Sequence, residues 1–152
     1  IHHAWERRKE NERLAKGLSG VLSDIPVALP ALQRAHKIQS RLTRIDFDWD
    51  SPREVLMQLK NEIDELEQAM ESGDSPACAE ELGDVLFSCV NLARHLQQDS
   101  EGCLRASNHK VTQRILWMEA KLREKNQSIS EQSREVLEGL WQMAKQQLSG
   151  IE

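Results

Sequence analysis

Apolar residues recur every three or four positions along most of the chain, which is the spacing of one face of an α-helix. The pattern predicts helices over residues 30–44, 52–72, 75–98 and 102–125, and a last one that Ser130 caps and that ends near residue 148. Short connections place consecutive helices antiparallel to one another. The chain is therefore predicted to be all-α, an antiparallel helical bundle.

The clearest helix boundaries lie in the middle of the chain. Ser51 is a suitable N-cap, and Glu54 completes a capping box three residues later. Gly73 ends that helix, because glycine readily adopts the left-handed conformation that follows a helix. Asp74 or Ser75 then caps the next helix. These signals predict a tight hairpin of two long helices.

Composition limits the classes of function. The 152 residues carry a net charge of −5, so the chain lacks the excess of basic residues that binding to duplex nucleic acid requires. No apolar stretch approaches the ~20 residues of a membrane span. The 3 cysteines form no C-x-x-C pair, which argues against a disulfide framework and a structural zinc site. We therefore expect a cytoplasmic protein that binds neither duplex nucleic acid nor membrane.

Polar residues interrupt the most apolar helix at regular steps. They recur every three or four positions and form one stripe: Glu81, Asp84, Ser88, Asn91 and His95. Ser88 and His95 are interpreted as structural. Asn91 is suited to hydrogen-bond a ligand or a liganding carboxylate, or to satisfy a buried polar contact. A polar stripe in a helix that is otherwise apolar on all sides indicates a functional site.

The preceding helix carries a matching pair, Glu62 and Glu65, on one face. Taken alone, this pair indicates an ordinary solvent-exposed helix face. In the predicted hairpin, however, Glu65 lies level with Glu81, and Glu62 with Asp84. Two such charges 4 Å apart repel by roughly 4 kcal/mol at an effective dielectric of 20. All-oxygen ligation selects Mg²⁺, Mn²⁺ or Ca²⁺ to relieve that repulsion, so the constellation predicts a metal site.

Glu62-x-x-Glu65 followed by Glu81-x-x-Asp84 resembles the split acidic motif of the MazG family of nucleoside triphosphate pyrophosphohydrolases. Further segments resemble the C-terminal domain of that family: residues 35–39, 47–49, 80–87 and 90–94. The resemblance covers residues 29–148. Family members commonly have Glu where this chain has Asn61. By this resemblance, residues 29–150 are interpreted as the catalytic domain and residues 1–28 as a linker or the remnant of a preceding domain.

The resemblance implies an all-α fold completed by homodimerisation. It also implies Mg²⁺-dependent hydrolysis, with Mn²⁺ as an alternative metal, of NTPs and dNTPs of any base to NMP or dNMP and pyrophosphate. The metal-binding and catalytic roles fall on Glu62, Glu65, Glu81 and Asp84. Substrate binding falls on Lys110, Arg114, Trp141 and Lys145, with Asn91 added from its place in the stripe. In this hypothesis a metal-activated water attacks the triphosphate, and Glu62 or Glu65 acts as the base.

Two alternatives stay open at this point. The first keeps the site but narrows the substrate, as in the related all-α dUTP and dCTP pyrophosphatases. The second is a non-catalytic helical interaction module whose acidic stripe binds Ca²⁺ or a partner protein. The polar stripe within an apolar helix favours an enzyme over such a module.

Overall fold

The computed structural model describes residues 2–15 and 20–149, and all regular structure in them is helical. The elements are α1 (His2–Ala15), α2 (Ala31–Leu42), α3 (Pro52–Ser72), α4 (Ser75–His95), α5 (Ser100–Arg123) and α6 (Arg134–Leu148). Short 3-10 turns follow α2 at Thr43–Ile45 and precede α6 at Ile129–Glu131. The all-α prediction is confirmed for this part of the chain.

The boundaries of α3 and α4 have the predicted causes. The Ser51 side chain accepts a hydrogen bond from the Glu54 backbone N–H, and the Asp50 backbone N–H donates to the Glu54 carboxylate at 2.9 Å. Gly73 ends α3 at a φ of 70°, a conformation that costs other residues energy. The Asp74 side chain caps α4 by accepting from the Ala77 backbone N–H. The hairpin of α3 and α4 therefore follows from local sequence.

The start of α6 was predicted wrongly. Ser130 lies within the 3-10 turn Ile129–Glu131 and caps no α-helix. The cap is Ser133, whose side chain accepts a hydrogen bond from the Val136 backbone N–H at 3.3 Å. Both serines precede an acidic residue and an apolar run, so sequence alone does not distinguish them.

The chain divides into two compact units, one that ends at Glu101 and one that starts at Gly102. In the first unit, α4 packs against both α3 and α2. In the second, α5 buries Met118 and Leu122, and α6 buries Ala144. No helix among the described residues is long and apolar enough to cross a bilayer.

The helix α4 is apolar on almost all sides, but most of it is not buried in the single chain. Only Ser88, Val90 and Asn91 of this helix are buried. Leu82 and Leu86 are 49% and 52% exposed. Periodicity shows that a side chain is apolar, but it does not show which surface covers it.

Candidate metal centre

The seam between α3 and α4 places acidic residues where apolar ones normally pack. Buried and half-buried positions of α3 follow an alternating four- and three-residue spacing: Val55, Leu59, Glu62, Leu66 and Ala69. A matching series on α4 consists of Cys78, Glu81, Val85, Ser88 and Leu92. This spacing is that of residues facing a partner helix. Glu62 and Glu81 therefore lie between the two helices.

Three carboxylates meet at this seam. Glu62, Glu81 and Asp84 each offer one oxygen, and these oxygens all lie within 4.8 Å of one another. Glu62 Oε2 and Glu81 Oε2 are buried and accept no hydrogen bond from any residue that the structure describes. The other oxygen of Glu62, Oε1, accepts a hydrogen bond of 2.6 Å from Gln58 Nε2. Gln58 thus orients Glu62 and leaves Oε2 available for a ligand.

The surroundings of Glu62 disfavour its ionised form. Burial raises the pKa of this carboxyl above 4.5, and the hydrogen bond from Gln58 opposes that rise. The neighbouring carboxyl group of Glu65 raises the pKa further, and the charge of Asp84 adds to the effect. A half-buried carboxylate that is repelled by its neighbours is stabilised when a cation binds.

This donor set fits a hard divalent cation. The oxygens of Glu62, Glu81 and Asp84 are hard ligands, and no sulfur or imidazole belongs to the group. Such ligands suit Mg²⁺, Mn²⁺ or Ca²⁺ better than softer transition metals. The buried oxygens without hydrogen-bond donors are positions that a cation would occupy, because an unpaired buried carboxylate is otherwise costly.

Glu65 has a different position from the other three predicted ligands. It is exposed and lies beside Glu62, whose pKa it raises, but it is not one of the three residues whose oxygens converge. The seam explains this difference, because residue 65 falls outside the spacing that places Glu62 against α4. Asn61 is also exposed on α3.

Asn91 lies farther along the same helix, beside a cavity of about 350 Å³. The lining residues come from α2, the loop before α3, and α4: Gln39, Leu42, Asp46, Phe47, Asp48, Trp49, Phe87, Asn91 and Arg94. Asn91 lies seven residues after Asp84, which is about 10 Å at 1.5 Å per residue and nearly the same helix face. The predicted polar stripe thus joins the carboxylates to this cavity.

Sequence reasoning missed the ion pair that holds this cavity together. Arg94 Nη2 donates to Asp48 Oδ1 at 2.5 Å and to Asn91 Oδ1 at 2.7 Å. His95 Nε2 lies 3.0 Å from the same Asp48 oxygen. Although burial alone would raise the pKa of Asp48, hydrogen bonds from Arg94 and His95 lower it below 3.8. Asp48 and Arg94 are 46 residues apart, so no local pattern reveals the pair.

The predicted basic and aromatic residues belong to the second unit. The Arg114 guanidinium lies 5.2 Å from the centre of the Trp141 ring, which joins α5 to α6 through a cation–π contact. Arg114 is only 9% exposed. Lys110 is half-buried one turn before Arg114, and Lys145 is exposed one turn after Trp141. The structure thus brings Arg114 and Trp141 together, and each lysine lies one turn from one of them.

Residues 50–117 match the model of the MazG nucleotide pyrophosphohydrolase domain. The chain contains a MazG domain. This domain includes the three converging carboxylates and Glu65, and the resemblance expected from the split acidic motif is confirmed. The start of the matched segment coincides with the capped start of α3, and its end lies within α5.

Two relatives of this chain carry names that state an activity. It is 38% identical over 145 residues to the nucleoside triphosphate pyrophosphohydrolase of Escherichia coli K12, covering 94% of this chain and 55% of that protein. It is 35% identical over 141 residues to the nucleoside triphosphate pyrophosphohydrolase/pyrophosphatase MazG of Thermotoga maritima, covering 93% and 54%. The chain spans about half the length of these curated relatives.

Proposed function

We propose that this chain hydrolyses nucleoside triphosphates to nucleoside monophosphates and pyrophosphate with the help of Mg²⁺. The observation that carries the proposal is the convergence of Glu62, Glu81 and Asp84 in a MazG domain. Glu62 and Glu81 each have a buried oxygen to which no described residue donates a hydrogen bond. The names of the Escherichia coli and Thermotoga maritima relatives support the reaction. We also propose that the protein acts in the cytoplasm.

In this proposal the three converging carboxylates hold the metal. When bound, Mg²⁺ would supply positive charge for the phosphates and lower the pKa of a water molecule. Gln58 keeps Glu62 in its ligating orientation through the 2.6 Å hydrogen bond. We assign Glu65 to accept the proton of the attacking water, because it is exposed beside Glu62 and is not needed to complete the trio.

The basic residues are proposed to bind the phosphates. Lys110, Arg114 and Lys145 supply the positive charge that a triphosphate requires. The cation–π contact with Trp141 orders the Arg114 guanidinium. Trp141 is proposed to serve substrate binding through this contact. Asn91 and its cavity are proposed to receive the nucleoside, because the cavity lies on the same face of α4 as Asp84.

We also propose a homodimer. Leu56 on α3 and Leu82 and Leu86 on α4 are 41% to 52% exposed. Exposed apolar side chains on adjacent helices are typical of a surface that another subunit covers. A second copy of the chain is the simplest partner for this surface, because it carries the same exposed apolar side chains and each copy can cover those of the other.

Product analysis tests the reaction. The chain is incubated with Mg²⁺ and each of the common NTPs and dNTPs, and the products are separated by ion-exchange chromatography. We expect the monophosphate and pyrophosphate; diphosphate and orthophosphate would contradict the proposal. The values of kcat/KM across bases and sugars distinguish broad specificity from a dUTP- or dCTP-type enzyme. An inactive protein that binds Ca²⁺ without binding a nucleotide would favour an interaction module.

A matched pair of variants tests the metal site. Glu81→Gln removes a converging carboxylate, and we expect it to lower kcat/KM at least about a hundredfold. Glu80→Gln changes the same residue type one position earlier, where the side chain is exposed, and is expected to retain activity. Equal activity of the two variants would remove Glu81 from the metal site.

A further inference from the structure

Gln39 is a buried amide with one unused end. The residue is 3% exposed and lines the cavity beside Asn91. Its Nε2 donates to the Phe87 backbone carbonyl at 2.9 Å. Because a carbonyl only accepts, this contact determines which way the amide points. Gln39 Oε1 is then left buried and receives no hydrogen bond from any described residue. It is an acceptor without a donor.

Asn91 presents the opposite polarity to the same cavity. It is 9% exposed, and its Oδ1 accepts the 2.7 Å hydrogen bond from Arg94. A guanidinium has no acceptor, so the amide of Asn91 must present its oxygen to Arg94 and keep Nδ2 for donation. Asp48 in turn anchors Arg94. Arg94 and Asp48 are therefore positioning residues for the Asn91 amide.

We propose that Gln39 and Asn91 read the hydrogen-bonding edge of the nucleobase. Gln39 Oε1 would accept from an edge N–H of the base, and Asn91 Nδ2 would donate to an adjacent ring nitrogen or carbonyl oxygen. This inference rests on the proposed function, since it supplies the base-binding part of that site. It also assigns a role to Gln39, which is not among the site residues predicted from the sequence.

The fixed polarity of the pair explains how one site accepts several bases. Adenine and cytosine offer an amino group beside a ring nitrogen, and guanine and uracil offer a ring N–H beside a carbonyl. Each base thus supplies one donor and one acceptor. A ligand without an edge donor leaves Gln39 Oε1 buried and unpaired, which is the situation that binding sites discriminate against most strongly.

Removal of single groups from adenosine triphosphate tests the two contacts. Purine riboside triphosphate lacks the amino donor, and 1-deazaadenosine triphosphate lacks the ring acceptor. For the wild type we expect each change to lower kcat/KM by about tenfold or more. In Gln39→Leu, kcat/KM should be nearly the same for purine riboside triphosphate as for ATP, whereas 1-deazaadenosine triphosphate should still be the poorer substrate. In Asn91→Asp, which replaces the Nδ2 donor by an acceptor, the 1-deaza penalty should disappear.

Gln33→Leu is the control, because Gln33 lies exposed on α2. It should retain both wild-type penalties. Wild-type enzyme that hydrolyses ATP but treats all three nucleotides alike would overturn the inference and leave the proposed function intact. If no nucleotide is hydrolysed, equilibrium binding of adenosine and purine riboside without metal decides the point. Equal affinities, or no binding of adenosine, would refute the role of Gln39.

Discussion

Glu62 and Glu81 lie on opposite helices of the α3–α4 seam, and each has a buried carboxylate oxygen without a hydrogen-bond donor among the described residues. Together with Asp84 they offer three oxygens within 4.8 Å of one another. Positions that pack apolar side chains in an ordinary helix pair here hold negative charge. Without a metal, these like charges make the packing of α3 on α4 less favourable than an apolar seam would, and the proposed cation would relieve that cost.

The pKa of Glu62 leads to a pH-dependent stability. Because this pKa is raised above 4.5 in the folded protein, the folded state holds the proton more tightly than the unfolded state. The contribution to stability is complete below about 4.5 and is lost as the pH rises through the folded pKa. In EDTA, Glu62→Gln should thus stabilise the protein relative to wild type at pH 7 more than at pH 4, as measured by urea unfolding.

Glu67→Gln serves as the control for this comparison, since Glu67 is exposed on the same helix. Its effect on the free energy of unfolding should differ little between the two pH values. Addition of Mg²⁺ should raise the stability of the wild type but not that of Glu62→Gln. A larger stabilisation by Glu62→Gln at pH 4 than at pH 7 would contradict the predicted direction of the pH dependence.

The ion pair of Asp48 and Arg94 should have the opposite effect of pH on stability from that of Glu62. The pKa of Asp48 is lowered below 3.8, so its contribution is present above that value and is lost as the pH falls through the folded pKa. Asp48→Asn should cost about 0.5–1 kcal/mol of unfolding free energy near neutral pH, because its contacts with Arg94 and His95 are partly screened by solvent. Asp50→Asn, in the same loop, should cost much less. An equal loss of unfolding free energy in the two variants would show that the contacts of Asp48 do not stabilise the protein.

The cap of α6 gives a prediction that separates two nearby serines. Ser133 accepts the hydrogen bond that starts the helix, whereas Ser130 lies in the preceding turn. Ser133→Ala should destabilise the protein by about 1 kcal/mol, and Ser130→Ala by much less. Amide hydrogen exchange at the start of α6 is the local measurement. Faster exchange in Ser130→Ala than in Ser133→Ala would restore the cap predicted from sequence.

The proposed homodimer predicts a change in mass. Leu86→Lys places a charge on the exposed apolar face of α4 and should convert the dimer to a monomer in sedimentation equilibrium. Val27→Lys is the control, since Val27 is 84% exposed and lies outside the helices. A monomeric wild type, or a Leu86→Lys variant that remains dimeric, would count against this surface as the interface.

Sequence alone determined most of the helical framework. Both ends of α3 and the start of α4 were predictable because caps and glycine act over three or four residues, and a local pattern contains that information. The end of α4, predicted near residue 98, lies at His95. The candidate ligands were recognisable because carboxylates within an apolar helix break its pattern. The prediction of Ser130 as the cap of α6 was wrong, because both Ser130 and Ser133 can cap a helix and the position of the preceding turn decides between them.

Tertiary structure decided which polar groups meet. It selected Glu62 over Glu65 for the seam, since packing of α3 on α4 buries one and leaves the other exposed. It brought Asp48 to Arg94 across 46 residues and left Gln39 Oε1 without a hydrogen-bond donor in residues 2–15 and 20–149. These relationships depend on distances between helices that are far apart in the chain. Helical periodicity fixes directions around one axis only, so it contains no information on those distances.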